Sequence, residues 1–166
     1  MHIRLVAAED KEVALNIYSD CRHAMQRSGI YQWTDTYPSA ELIETDIAQR
    51  HLYGLYINES CIGLITLNAV QETEYEAVNW LGSNPLIIHR LAVLPSFHNK
   101  GLGKVLMKFA EKHAAKYKHN SLRLDSFSGN IAALTFYEKL GFRKTGEVYF
   151  PGRILPFFCF EKILAG

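Results

Sequence analysis

The sequence is poor in everything that would commit it to an extreme environment. It has only three cysteines, Cys21, Cys61 and Cys159. The number is odd, and no Cys-x-x-Cys or Cys/His ligand spacing is present, which argues against a disulfide framework and against a structural zinc or other metal site. No apolar run approaches the ~20 residues that a membrane span requires. The opening stretch "MHIRLVAAEDKEV" has no apolar core of a secretory leader. Neither sign of charge dominates. The formal net charge is +1, without the basic surplus that broad nucleic-acid binding needs. Internal repeats and low-complexity tracts are also missing. These absences lead to the expectation of a cytoplasmic protein with reduced thiols, no metal, no nucleic-acid partner and no membrane partner.

What is present is an ordinary globular balance, with 48% hydrophobic and 21% charged residues in 166 positions. That length suits a single domain over residues 1–166 with one sizeable core. Residues 2–7 read as a strand. Residues 10–27 place Val13, Ile17, Tyr18, Cys21 and Met25 at helical spacing. The stretch "SGIYQWTDTYPS" (28–39) breaks that pattern and reads as an aromatic-rich loop. Ser39 is placed to cap a second helix, 40–50. Residues 51–57 and 61–68 read as a hairpin around "NES". Residues 70–85 fit a loop, an edge strand or a short helix equally well.

Residues 86–94, "LIIHRLAVL", form a nearly continuous apolar run broken only by His89 and Arg90, the pattern of a central strand. Pro95 ends it. A helix follows with Leu102, Val105, Leu106, Phe109, Ala110, His113 and Tyr117 on one stripe. Then come a strand at 121–127, a short helix at 131–140 closed by Gly141, and two strands in 142–165 around "PG". The order β-α-α-β-β-β-α-β-α-β-β combines a hairpin with strand-helix-strand crossovers. It predicts an α/β (α+β) fold with a central mixed sheet flanked by helices. Phe157, Phe158 and Phe160 exceed what one buried strand face requires, which leaves a homodimer interface open.

The turn His98-Asn99-Lys100-Gly101-Leu102-Gly103-Lys104 sits where the strand hands over to the long helix. It lacks the third glycine of G-x-G-x-x-G, and Val105 follows Lys104 where a Walker A loop needs Ser or Thr. Both common nucleotide readings therefore fail. The physics of an anion site remains: helix-start N–H groups, glycines that permit close approach, and two lysines. A plain strand-to-helix turn with solubilising lysines fits the segment equally well.

Two further stretches decide between these. His98-x-x-Gly101-x-Gly103 after an apolar strand, followed by Asn130-x-x-Ala133-x-x-Phe136-Tyr137-Glu138-Lys139-Leu140-Gly141-Phe142, resembles the paired signatures of the GCN5-related N-acetyltransferase (GNAT) superfamily. The resemblance covers roughly residues 86–145 and departs at His98, where the family carries Gln or Arg. It implies the family's acyl-CoA N-acyltransferase fold and acetyl-CoA as cofactor. It further implies a pyrophosphate held on the backbone of His98, Asn99, Lys100, Gly101, Leu102, Gly103 and Lys104. The pantetheine arm would run along Leu91, Ala92 and Val93, at a notch between strands 86–94 and 121–127. Asn130, Ala133 and Phe136 would complete the cofactor contacts. Asn130 suits a helix N-cap as well, and the two roles are compatible.

Tyr137 falls on the family tyrosine that protonates the departing thiolate, a task within reach of a phenol of pKa ≈ 10. The alternative for it is a core aromatic. His89 stands where relatives place a base, and strand alternation would put it on one face with Leu91 and Val93. A partly buried structural histidine is the alternative, and Glu72, Glu74 and Glu76 compete for the role. Tyr31, Trp33 and Tyr37 would wall an acceptor pocket, with Asp35 facing an amine, unless the aromatics only pack the loop.

The resulting expectation is an acetyl-CoA-dependent N-acetyltransferase (an acyltransferase, EC 2.3.1.-). It would act by direct attack of a primary amine in a ternary complex, with a small molecule as acceptor. Alternatives are a protein N-acetyltransferase, a non-catalytic acyl-CoA sensor, and an interaction domain that has lost the cofactor.

Overall fold

The computed structural model describes residues 1–165. The chain divides into two compact units, Met1–Leu67 with His89–Ala110, and Asn68–Ile88 with Glu111–Gly166.

The first unit contains β1 (His2–Leu5), α1 (Lys11–Arg27), α2 (Ala40–Ala48), β2 (Leu52–Ile57) and β3 (Ser60–Asn68). It also takes the second half of β4 (Pro85–Val93) and the start of α3 (Leu102–Lys116). β1 pairs antiparallel with β2, and β2 with β3. β3 lies beside β4, where the Leu94 amide donates to the Ile62 carbonyl at 2.9 Å. The β2–β3 turn is Asn58-Glu59, both left-handed at φ 48° and 67°. That is the signature of a two-residue turn whose twist matches the strands. Ser39 caps α2 as expected, its Oγ accepting from the Leu42 amide at 3.1 Å.

α1 buries Ala14, Ile17, Tyr18 and Cys21. Val13, expected on that stripe, is exposed. Ala14 is the residue in phase with Tyr18 and Cys21 at helical spacing, so the stripe is centred one position further on. On α3 the buried residues are Leu102, Leu106, Met107, Ala110 and Ala114. Tyr117, placed on that stripe from its spacing, lies past the last helical residue and is exposed. Gly63 on β3 is glycine for a spatial reason. A Cβ there would stand 3.1 Å from the Ala92 carbonyl oxygen and 3.2 Å from a Leu106 methyl.

The second unit contains the first half of β4, β5 (Ser121–Phe127), α4 (Ile131–Lys139), β6 (Arg143–Val148) and β7 (Phe157–Ile163). β4 runs parallel to β5 over Pro85–Ile87 against Ser121–Arg123, while β7 lies antiparallel between β5 and β6. Parallel and antiparallel pairs together make the sheet mixed, as the element order predicts. Phe157 and Phe160 are buried, and the Lys144 ammonium lies 3.6 Å from the centre of the Phe158 ring.

Of residues 70–85, Pro85 begins β4 and the rest is loop around a short 3-10 turn, Thr73–Ala77, held by side chains distant in sequence. Arg123 Nε donates to Glu161 Oε2 at 3.0 Å, Nη1 to Gln71 Oε1 at 2.6 Å, and Nη2 to the Gly82 carbonyl. Glu161 in turn accepts from the amides of Leu81 at 2.7 Å and Gly82 at 3.2 Å. Trp80 lies against the guanidinium, 4.5 Å from ring centre to Cζ. Tyr75 is buried and donates its hydroxyl to Asp125 Oδ2 at 2.7 Å. A polar segment with no periodicity therefore acquires one conformation from a single buried ion pair.

Replacing one partner of such a pair strands the other charge. Arg123→Met is expected to lower unfolding free energy by about 3–5 kcal/mol, read from urea denaturation midpoints. A loss under about 1 kcal/mol, the size of an exposed pair, would contradict this role.

Burial raises the pKa of the Tyr18, Tyr75 and Tyr137 phenols. Each is neutral when protonated, so the folded state holds these protons more tightly than the unfolded chain. The stability this contributes is complete below the unfolded value of ~10 and is lost as pH rises through the folded values. Urea midpoints are expected to fall steeply above pH ~10, and less so in Tyr137→Phe. Equal slopes in both proteins would show that Tyr137 contributes nothing to the fall.

Candidate active site

The turn between β4 and α3 joins left-handed backbone to the start of a helix. A 3-10 turn, Pro95–Phe97, follows the strand. Asn99 then takes φ 61° and Gly101 φ 76°. Two left-handed residues flanking Lys100 roll successive N–H groups toward one side, the geometry of an anion-binding concavity. The first helical bond joins the Val105 amide to the Gly101 carbonyl at 3.2 Å. The amides of Leu102, Gly103 and Lys104 precede it and have no carbonyl to serve within the helix. No heavy atom stands within 4 Å of where a Gly101 Cβ would be. The first turn of α3 carries no acidic residue, so its partial positive charge is not neutralised by its own side chains.

His98 is exposed, and its Nε2 lies 2.7 Å from the Val93 carbonyl, to which it donates. The Cys21 thiol donates to the same oxygen at 3.3 Å. The one departure from the family signature thus ties the turn back to the strand end. Burial pushes the Cys21 and Cys159 thiols up to about 12, which leaves them protonated and unreactive at neutral pH.

Strand β4 carries the least expected feature. Arg90 has φ 49° inside the strand. A non-glycine residue there costs on the order of 1–3 kcal/mol and persists only where its surroundings hold it. They do so here through four contacts. Arg90 Nη2 meets Asp46 Oδ2 at 2.5 Å, both side chains nearly buried at 5% and 6% exposure. Nη1 donates to the Tyr37 hydroxyl at 3.1 Å. The Arg90 carbonyl accepts from the Tyr18 hydroxyl at 3.1 Å. Asp46 Oδ2 also accepts from Thr66 Oγ1 at 3.1 Å.

Alternation along a strand requires extended backbone, so it does not carry across Arg90. The face shared by His89, Leu91 and Val93 that alternation predicts is interrupted there. His89, Leu91 and Val93 are half-buried, and Ala92 is buried. In the sequence Arg90 stands out only as a break in an apolar run. A charge in a buried strand was itself the signal that a carboxylate must be near, but nothing in the sequence singled out Asp46.

The aromatic loop splits by role. Trp33 is 5% exposed, edge-on to Tyr18 with ring centres 5.5 Å apart, and belongs to the core. Tyr31 and Tyr37 are exposed. Asp35 is almost fully in solvent, 4.0 Å from Arg22 Nε. The loop backbone is pinned to α1 by Arg22 Nη1 on the Thr34 carbonyl at 3.2 Å and Gln26 Nε2 on the Trp33 carbonyl at 3.4 Å. The first unit therefore brings together the turn, the second half of β4, His89, Tyr31 and Tyr37.

The remaining candidates belong to the second unit. Asn130 caps α4, its Oδ1 accepting from the Ala133 amide at 3.2 Å. Ala133 and Phe136 are half-buried on the same helix. Tyr137 is buried beside Phe136, Phe142 and Phe160. Burial first, and the Asp125 carboxylate second, raise its pKa, so the phenol keeps its proton at neutral pH. A protonated phenol is a donor, suited to an acid and not to a base.

The chain is similar to known acetyltransferases. Spermine/spermidine N(1)-acetyltransferase of Bacillus subtilis (strain 168) is 29% identical over 121 residues, covering 69% of this chain and 75% of the relative. Streptothricin acetyltransferase of Escherichia coli is 29% identical over 104 residues, covering 63% of this chain and 53% of that protein. The crystal structure of a GNAT-family acetyltransferase from Streptococcus agalactiae superposes with a TM-score of 0.85 at 22% identity, over 99% of this chain and 96% of that one. The PaiA N-acetyltransferase of Thermoplasma acidophilum, solved in complex with coenzyme A, gives 0.76 at 22%, over 98% of both chains. Residues 15–142 match the profile of the Acetyltransferase (GNAT) family. With a profile match that runs from α1 to the end of the Asn130–Phe142 motif, the chain belongs to the GNAT acetyltransferase family and is an acetyl-transfer enzyme.

Proposed function

We propose that the protein moves the acetyl group of acetyl-CoA to the primary amine of a small molecule by direct attack in a ternary complex. The observation that carries this reading is the turn at 98–104, with its left-handed pair and the open space at Gly101. The family profile runs through both compact units, which supports residues 1–166 as one N-acetyltransferase domain. Relatives named for spermine, spermidine and streptothricin support a small amine acceptor.

The residues fit the cofactor. The amides of Asn99 to Lys104 and the ammonium groups of Lys100 and Lys104 would hold its pyrophosphate. The edge of β4 at Leu91 to Val93 would hold its pantetheine arm, with Asn130, Ala133 and Phe136 supplying further contacts. The Val93 carbonyl already serves His98 and Cys21, so the strand's N–H groups are the better partners. Acetyl-CoA supplies an activated thioester.

The chain's own residues do the rest. A strand N–H of β4 polarises the carbonyl that receives the attack. His89 takes the proton that an ammonium must lose before it can react. Tyr137, whose phenol carries its proton at neutral pH, donates to the leaving sulfur. Tyr31 and Tyr37 flank the acceptor, and Trp33 supports their loop from the core. The protonated state of Cys21 and Cys159 favours direct transfer over an acyl-cysteine intermediate.

The test is thiol release from acetyl-CoA over a panel of amines that includes spermidine, spermine and amino acids, with Tyr137→Phe in parallel. Turnover is expected for at least one amine, falling on the order of 100-fold in the variant while coenzyme A affinity stays within about twofold. A variant with wild-type turnover would remove Tyr137 as the acid.

A further inference from the structure

Arg90 is absent from the chemistry just described, yet more of the first unit converges on it than on any residue discussed above. Its backbone is left-handed inside the strand proposed to carry the thioester. Its carbonyl is held by Tyr18 from α1, and its guanidinium by Asp46 from α2. Asp46 is itself fixed by Thr66 of β3. A second guanidinium nitrogen, Nη1, donates to Tyr37, an exposed residue of the aromatic loop. A single side chain therefore connects the bend in β4 to the loop that flanks the acceptor.

We propose that Arg90 is a positioning residue for acetyl transfer: its pairing with Asp46 sets the bend that aims the Leu91 and Val93 amides, and its contact with Tyr37 holds the acceptor loop in register with them. This rests on the acetyl-CoA reading above. Three features make it more than a structural ion pair. The bend lies within β4 itself, immediately before the amides at issue. A planar guanidinium gives two donors in fixed, divergent directions, one for each partner, which a lysine ammonium on a flexible stem does not reproduce. And Tyr37 is a surface residue, so its bond to Arg90 constrains the loop and not the core.

Single removal of Arg90 would strand Asp46 in the interior and threaten folding. The matched variant Arg90→Met with Asp46→Leu removes both charges together and tests the bend without that penalty. Tyr37→Phe keeps the ring and removes only the link to the loop. Arg90→Lys keeps the charge opposite Asp46 and removes the fork.

Calorimetry with coenzyme A and with 3′,5′-ADP separates the strand edge from the turn, because the nucleotide fragment lacks the pantetheine arm. Steady-state kinetics with the best amine of the panel separates acceptor from cofactor. Melting curves confirm that each variant is folded. The matched variant is expected to lose about 30-fold in kcat and about 5-fold in coenzyme A affinity, with 3′,5′-ADP binding unchanged. Tyr37→Phe is expected to raise acceptor KM about 5-fold with coenzyme A affinity unchanged, and Arg90→Lys to restore coenzyme A affinity but not acceptor KM.

Wild-type kinetics in the matched variant, or an unchanged acceptor KM in Tyr37→Phe, would overturn the inference. So would an equal loss of coenzyme A and 3′,5′-ADP binding, which marks a merely structural role. A wild-type protein that binds no coenzyme A would instead overturn the acetyl-CoA reading, and the inference with it.

Discussion

A guanidinium withdrawn from water has to meet a carboxylate in the same place, and among the described residues each compact unit meets that demand once. In the first, Arg90 and Asp46 join β4 to α2. In the second, Arg123 and Glu161 join β5 to β7 and gather the segment around Gln71, Leu81 and Gly82. Such pairs add little net stability, because desolvation offsets most of their attraction. What they supply is selection. An apolar strand can slide or flatten at modest cost, whereas a buried charge with one correctly placed partner tolerates a single arrangement. The left-handed backbone at Arg90 and the loop at 70–85 both depend on that selection, and neither follows from local propensity.

The turn at 98–104 works by a different principle. It depends on backbone, not on side-chain identity. The left-handed Asn99 and Gly101 and the first turn of α3 present N–H groups whatever the neighbouring side chains are. His98 is then available for another task, closing the strand end through the Val93 carbonyl. The scaffold thus separates its jobs. The turn offers left-handed backbone at a helix start, β4 a bent edge, and the loop at 28–39 two exposed tyrosines beside a buried tryptophan.

Much of this was legible in the sequence because it is local. Helices α1 to α4 announce themselves by apolar spacing and by Ser39, Asn130 and Gly141 at their ends. The glycine turn and the Asn130–Phe142 motif carry the family. What was hidden is what depends on distant partners. Val13 and Ala14 are adjacent and both apolar, and only packing tells which faces inward. Trp33 read as pocket wall or loop packing with equal justice until Tyr18 was seen beneath it. Residues 70–85 have no period because Arg123 and Glu161, far along the chain, dictate their shape. The alternation rule failed at Arg90 because it assumes extended backbone, and the residue that breaks that assumption is an arginine and not a glycine.

The most direct test of the account is amide hydrogen exchange with and without coenzyme A, since the central claim concerns which backbone N–H groups hold the cofactor. The account predicts added protection at Leu91 to Val93 and at Asn99 to Lys104, with the α1 and α2 amides unchanged. Binding without protection at 99–104 would contradict the turn as the anion site. Protection at 99–104 without any at 91–93 would leave the pyrophosphate cradle standing and remove β4 as the edge that carries the thioester.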